Sequence, residues 1–311
     1  MIHKLELKSE NLHGSFSNEY KPILTVNSGD SIRMQTPDIE WGYSESKGIE
    51  RQFFKSAVKE ETPLHPMIGP IEVNGAKAGM VLEVKMNDVI PGWYGTNWAG
   101  GKNSWQNDAV GLTGSERIRF DWELDRDTMA AKTEVSSRQV NVALNPFIGL
   151  MGVAPAEPGV HHTSPPRYCG GNIDCKELEK GSTLYLPISV DGALFSIGDG
   201  HAAQGDGEVS GTAIECPMDL VDITLTVRDD IKLTMPRAKT PAGWITFGFN
   251  EDLNQAAAQA LDEMVELITE LHQIERAEAL ALASVVVDLR ITQVVNGVKG
   301  VHAVLPHGAI Q

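Results

Sequence analysis

The chain is expected to be mainly β, a sandwich or barrel-like fold with a helical part near its C-terminal end, on three observations. Residues 1–240 read as short β-branched or alternating runs broken by turn residues. The one strong helical periodicity begins only near Asn250. After it, two apolar runs flank Asn296-Gly297 in the manner of a hairpin.

Taken in order, Ile23-Leu24-Thr25-Val26 leads into the turn cluster Asn27-Ser28-Gly29-Asp30. Ile71-Glu72-Val73, Asn74-Gly75 and Met80-Val81-Leu82-Glu83-Val84 read as strand, turn and strand. Pro91 to Asn107 is rich in Gly, Asn and Trp and lacks periodicity, so a long loop is expected there. Thr183 to Ile188 and Ala193 to Ile197 flank Asp191-Gly192, which reads as a hairpin turn. Asp222 to Val227 alternates again. Many short strands with regular turns suggest the sandwich or barrel.

Asn250 reads as a helix N-cap, with Glu251 and Asp252 at the positive end of the helix dipole. Leu253, Ala257, Leu261, Met264, Ile268 and Leu271 then form an apolar stripe, which places the longest helix near 251–272. A second short helix is expected over Glu275 to Ala283. Val285 to Ile291 and Val301 to Leu305 complete a type I′ hairpin. A chain of 311 residues exceeds the roughly 250–300 at which single cores stop growing. It is therefore expected to divide into β-rich lobes over 1–240 and a helix-plus-hairpin lobe over 241–311.

The formal net charge is −16, with no cluster of Lys and Arg. Phosphate backbones attract such clusters, so neither a nucleic acid nor an anionic membrane is expected as a partner. No stretch approaches the ~20 apolar residues of a membrane span, and no secretory h-region follows Met1. Cys169, Cys175 and Cys216 are odd in number and form no CxxC pair, which suits a reducing, cytoplasmic compartment.

The chemistry is expected between His161 and Glu215. One polar, glycine-rich run there is His161-His162-Thr163-Ser164-Pro165-Pro166-Arg167-Tyr168-Cys169-Gly170-Gly171-Asn172-Ile173-Asp174, and another is Gly198-Asp199-Gly200-His201-Ala202-Ala203-Gln204-Gly205-Asp206-Gly207-Glu208. Glycines let backbone approach a ligand closely. Among them stand donors suited to a metal: imidazole at His201 and carboxylates at Asp199, Asp206 and Glu208. The spacing matches neither HExxH nor a DxDxDG calcium loop, and the same residues also fit a polar hairpin loop with a satisfied histidine. Were Glu208 to Glu215 one regular strand, the two glutamates would face opposite ways unless Gly211 made a bulge, and Asp206 would share a face with Glu208. No GxSxG elbow and no phosphate-binding glycine loop is present. Cys169, with His161 and His162 nearby in sequence, is the one cysteine-nucleophile candidate.

These residues resemble the acetamidase/formamidase family. The resemblance rests on Pro165-Pro166-Arg167 with Gly170-Gly171-Asn172-Ile173-Asp174, on the 198–208 run, and on Gly211-Thr212-Ala213-Ile214-Glu215. It extends through Gly69-Pro70-Ile71, Pro146-Phe147-Ile148-Gly149 and Gly300-Val301-His302-Ala303, over nearly the whole chain. It implies a jelly-roll-like sandwich with further small β and α/β parts, hydrolysis of a short-chain amide to carboxylate and ammonia, a homodimer or larger homo-oligomer, and a divalent metal, usually zinc, with calcium the alternative. Within it, His201, Asp174 and Glu215 would hold the metal and Glu208 would act as general base. Asn172 and Gln204, or backbone N–H groups, would hold the developing oxyanion. Asp38 is a further candidate through the family pattern, and His302 sits in a run apolar on both faces. Residues 91–115 are short and Trp-rich, and as a pocket wall they would change which amide fits. The competing readings are a cysteine amidase using Cys169 and a non-catalytic β-sandwich that binds a metal or small ligand.

Overall fold

The computed structural model describes residues 1–60 and 63–311. Two sheets organise it. A nine-stranded sheet runs, in spatial order, Ile2–Leu5, Asp30–Thr36, Met218–Arg228, Val81–Pro91, Thr183–Pro187, Arg237–Lys239, Gly243–Asn250, Lys299–Pro306, Asp288–Gln293. A six-stranded sheet runs Gly170–Asn172, Phe147–Val153, Phe195–His201, Met67–Asn74, Leu12–His13, with Leu24–Asn27 pairing parallel to Met67–Asn74. One continuous apolar core takes side chains from both, Ile32, Val84 and Ile223 from the first, Ile71, Ile148 and Ile197 from the second. The expected β architecture is present, and each long strand alternates or is buried throughout as a sandwich core requires.

Three local expectations are corrected. The strands flanking Asp191-Gly192 do not form a hairpin. Thr183–Pro187 belongs to the nine-stranded sheet and Phe195–His201 to the six-stranded one. The turn therefore passes the chain between layers. The dipeptide sets a reversal, but which sheet each strand joins depends on partners far away in sequence. Second, Pro91–Asn107 is not a loop. Tyr94–Ala99 is the first strand of a four-stranded antiparallel meander with Ile118–Asp125, Ala130–Val135 and Arg138–Ala143, and Trp105–Ala109 is a short helix capped by Ser104. Its polar composition hid the strand because pairing with Ile118–Asp125, not an apolar face, defines it. Third, Asn296-Gly297 lies in a genuine antiparallel hairpin, but only Gly297 has positive φ, so the turn is a longer loop and not type I′.

The long helix spans Leu253–His272 and the second Arg276–Val286. The first is capped by Asp252, two residues past the expected cap, whose carboxylate accepts from Asn254 N and Gln255 N. Its buried face is also rotated from the expected stripe. Ala256, Ala260, Met264 and Ile268 are buried, while Leu271 is exposed. The reason is close approach to strand Gly243–Asn250. A Cβ on Gly248 would lie 2.0 Å from Ala256 O, and Thr246 Oγ1 donates to Ala260 O at 2.7 Å. Small residues, not the largest apolar ones, face the sheet there. These helices cover strands that continue the same nine-stranded sheet across residue 240.

Gly248→Val is expected to destabilise the fold by about 1–3 kcal/mol or more through overpacking against that backbone. Denaturant unfolding checks this, and an unchanged midpoint would refute the close-packed helix–sheet contact.

Candidate metal centre

The centre is built at the end of strand Phe195–His201, an interior strand of the six-stranded sheet. Asp199 and His201 are alternate residues of strand Phe195–His201 and so share a face. Neighbouring strand Phe147–Val153 places Gly149 between the pairs Ile148–Gly200 and Leu150–Gly198. The Gly149 carbonyl accepts from Ile173 N at 3.0 Å and Asp174 N at 3.1 Å, which sets Asp174 beside Asp199. A Cβ on Gly149 would lie 2.6 Å from Asp174 Oδ1, 2.8 Å from Asp199 Oδ2 and 2.8 Å from His201 Cε1. Only glycine leaves room for the cluster. Glu215 bridges both His201 and Thr96, and so ties the meander to the sheet.

Asp174, Asp199 and Glu208 all have positive φ, 55°, 63° and 45°. Such backbone costs about 1–3 kcal/mol per residue and persists where the surroundings over-determine it. Here Gln204 Nε2 donates to Asp174 O at 2.7 Å, and Gly211 N donates to Glu208 O at 2.8 Å.

The side chains converge. His201 Nε2 lies 3.3 Å from Asp199 Oδ2 and 3.2 Å from Glu215 Oε2. Donor atoms of Asp174, Asp199 and His201 lie within 4.8 Å of one another, as do those of His201, Glu208 and Glu215. All five residues are buried. Burial pushes the Asp174 carboxyl up to about 7 and raises Glu208 and Glu215 above the usual carboxylate range. Asp199, against its burial, is held down to about 2 by His201 and His65. Burial also opposes charge on His201, but Glu215 and Asp199 outweigh it and lift the imidazole well above its usual value.

Four buried carboxylates around one imidazole carry more negative charge than His201 can balance. Protons or a cation must make up the rest. Asp174 Oδ1, Asp199 Oδ1, Glu208 Oε2 and Glu215 Oε2 are buried without hydrogen-bond partners among the described residues. Unpartnered oxygens of that kind, with one imidazole nitrogen, are the donor set of a divalent cation. The residues present therefore fit a metal.

Of the expected ligands, Asp174 meets His201 in a triad with Asp199, and Glu215 meets His201 in a second triad with Glu208, so His201 links the two. The parity expectation is corrected: residues 208–215 form turns and bends, not a strand, so both glutamates reach one site. Asp206 does not share the face of Glu208; it is exposed and pairs with Lys176 at 2.9 Å. Gln204 Nε2 donates to the Asp174 carbonyl at 2.7 Å and so braces the backbone of that residue. Asn172 is buried with Oδ1 unpartnered and lines the cavity above the centre. Asp38 is bonded to Arg51 and to Tyr94 Oη and lines a neighbouring cavity that Glu215 also borders, and His302 Nδ1 meets Thr292 Oγ1.

Three contributors escaped sequence reasoning. Asn296 Nδ2 donates to Asp174 Oδ2 at 2.7 Å, which leaves Oδ1 to face the cluster. Its turn dipeptide concealed that role. Gly149 is one of many glycines, and His65 sits outside every motif. The cavity, about 290 Å³, is lined by His65, Asn172, Asp199, Glu208, Glu215 and Asn296, and by Trp98, Lys102, Ser104, Gln106 and Asn107. The segment around residue 100 is thus a wall of the pocket.

The raised carboxylates make a pH prediction. A group whose folded value lies above its unfolded one, as Asp174 moves from 3.8 to about 7, contributes stability below the unfolded value and loses it as pH rises through the folded one. Metal-free protein is therefore expected to melt at lower temperature as pH rises through about 7, and a divalent cation should cancel the loss. Parallel melting curves with chelator and with metal check this; superimposable pH profiles would argue against cation binding here.

The family model described as the Acetamidase/Formamidase family matches residues 2–162 and 156–308. The crystal structure of an acetamidase from Bacillus halodurans is similar with a TM-score of 0.82 and 28% identity, covering 97% of each chain. That of an acetamidase from Yersinia enterocolitica has a TM-score of 0.82 and 25% identity, covering 100% of this chain and 94% of that one. A Methylophilus methylotrophus formamidase is 52% identical over 48 residues, 15% of this chain and 12% of its own. A Schizosaccharomyces pombe relative is 24% identical over 257 residues, 67% of this chain and 62% of its own, so the chain spans less than two thirds of these curated relatives. With the family model matched from residue 2 to residue 308, the chain belongs to the acetamidase/formamidase family.

Proposed function

We propose that this protein hydrolyses a short-chain aliphatic amide, of the acetamide or formamide kind, to carboxylate and ammonia at the centre around His201. The observation that carries the reading is the set of buried, unpartnered carboxylate oxygens around one imidazole at the floor of a cavity. Family membership and the acetamidase neighbours support it.

A divalent cation held here, zinc or alternatively calcium, supplies Lewis acidity toward the amide carbonyl and the attacking water. Asp174, His201 and Glu215 are the residues to hold it; His201 is shared by a triad with Asp174 and Asp199 and by one with Glu215 and Glu208, which adds Asp199 to the set. Glu208 is the general base. No hydrogen bond engages its Oε2 among the described residues, and burial raises its proton affinity toward the range a base needs. It takes the water proton and returns it to the departing nitrogen. Asn172 lines the cavity and, in this reading, is the side chain that donates toward the developing oxyanion. Trp98, Gln106 and Asn107 bound the space for the acyl group.

The cysteine alternative lacks support. Cys169 is buried, and burial pushes its thiol up to about 11. His161 bonds Glu157 O and His162 accepts from Ser164 N, so neither serves it as a base. Among the described residues no helix is long and apolar enough to cross a membrane, and all three cysteines are unpaired. Cytoplasmic residence and a homodimer or larger assembly belong to the same proposal.

Two measurements test it. His201→Ala is expected to lose metal and activity together, whereas Glu208→Gln should keep its metal and lose roughly 10²–10⁴-fold in kcat. Elemental analysis beside ammonia release decides; loss of metal in Glu208→Gln would make Glu208 a ligand, and full activity in both variants would sink the site. Cys169→Ser should retain most activity, and a loss of roughly a thousandfold in a folded variant, about 4 kcal/mol of transition-state stabilisation, would overturn the water mechanism.

A further inference from the structure

A second cluster of metal-type donors lies outside the hydrolytic centre. Cys175 Sγ, a Glu177 carboxylate oxygen and a His302 ring nitrogen lie within 4.8 Å of one another. Sγ stands 3.2 Å from Glu177 Oε2, and His302 Nε2 stands 3.5 Å from the same oxygen. Four-coordinate zinc with bonds of about 2.0–2.3 Å sets its ligands roughly 3.3–3.8 Å apart, so shifts of a few tenths of an ångström admit an ion.

The surroundings are those of a ligand set. His302 is fully buried, and its Nε2 has no hydrogen-bond partner among the described residues. Its Nδ1 is 2.7 Å from Thr292 Oγ1, a contact that fixes the ring. With the proton on Nδ1, the lone pair of Nε2 points at the cluster, the tautomer a metal takes. Arg290 donates to Glu177 Oε1 at 2.9 Å, so Oε2 is the oxygen left to face the thiol and the imidazole. Thiolate, imidazole and carboxylate together suit a thiophilic divalent cation.

We propose that Cys175, Glu177 and His302 form a second divalent-metal site, for zinc or a cation of similar thiophilicity, distinct in its ligands from the centre around His201. As the ion binds, the Cys175 S–H proton leaves to solvent and a sulfur–metal bond forms. Two anionic ligands then balance the cation, and Arg290 stays on Glu177 Oε1 with Asp288 3.7 Å from its far side. The ion would fasten the segment after Asp174 to strands Asp288–Gln293 and Lys299–Pro306, between which Asn296 reaches back to Asp174. Its role is to brace the hydrolytic centre, not to take part in chemistry.

Cobalt(II) distinguishes the two sites, because only this one carries sulfur. Chelated, reduced full-length protein titrated with cobalt(II) is expected to take up two equivalents and to show a thiolate-to-cobalt charge-transfer band. Cys175→Ser should abolish the band and drop uptake to one equivalent, and His201→Ala should keep the band. Cys169→Ser and Cys216→Ser should leave it unchanged. If Cys175→Ser fails to fold, His302→Gln reads the same loss. Absence of the band in the wild-type protein, or its persistence in folded Cys175→Ser, would show a hydrogen-bonded triad and overturn the proposal.

Discussion

Burial of several carboxylates around His201 is the constraint on which the rest of the molecule depends. Asp174, Asp199, Glu208 and Glu215 sit in a region almost closed to water, where like charges repel strongly and each bare oxygen has lost its hydration. Such a group is stable only with compensating charge, from protons on raised carboxyls or from a cation. The raised proton affinities of Asp174, Glu208 and Glu215 and the elevated imidazole of His201 express the same imbalance. The scaffold is organised to hold that imbalance in one geometry.

Backbone does most of the holding. Gly149 lets strand Phe147–Val153 pass beneath the cluster, and its carbonyl ties down the start of the Asp174 segment. Three acidic residues are kept in left-handed backbone conformations that few side chains adopt without support. Side chains from distant elements then aim the carboxylates: Asn296 holds one oxygen of Asp174, and Ala213 N holds Glu215 Oε1 at 3.0 Å. The nine-stranded sheet contributes through its last hairpin, which carries Asn296, so the C-terminal part of the chain is a structural component of the site. The meander contributes through Thr96, paired with Glu215, and through the pocket wall that follows.

Much of the centre could be read from local sequence because its chemistry is concentrated in a few short runs. Asp174, His201, Glu208 and Glu215 all lie in or beside polar, glycine-rich segments that depart from the strand-turn rhythm of the rest of the chain. Asp199 was visible as a donor in the same run, but nothing local distinguishes it from Asp206, two residues before Glu208. Packing separates them: Asp199 points with His201 into the cluster, and Asp206 pairs with Lys176 toward solvent. Gln204 illustrates the converse. Its place in the motif suggests chemistry, whereas its amide is bonded to the backbone of Asp174.

Local pattern by itself determined that the chain is mainly β, that its long helix begins just after residue 250, and that His201 and nearby carboxylates are donors of the metal-binding type. Alternation, helical periodicity and donor type are properties of neighbours in sequence, and each of these features depends only on them. The tertiary structure alone decided that the strands around Gly192 part into different sheets and that Pro91–Asn107 supplies a strand and a pocket wall. It also decided that Glu208 and Glu215 meet, and that Gly149, His65 and Asn296 complete the site. Those outcomes are set by pairing and close approach between segments up to more than a hundred residues apart, as where Asn296 reaches Asp174 across 122 positions. No local propensity encodes such contacts, because their free energy exists only once both segments are in place.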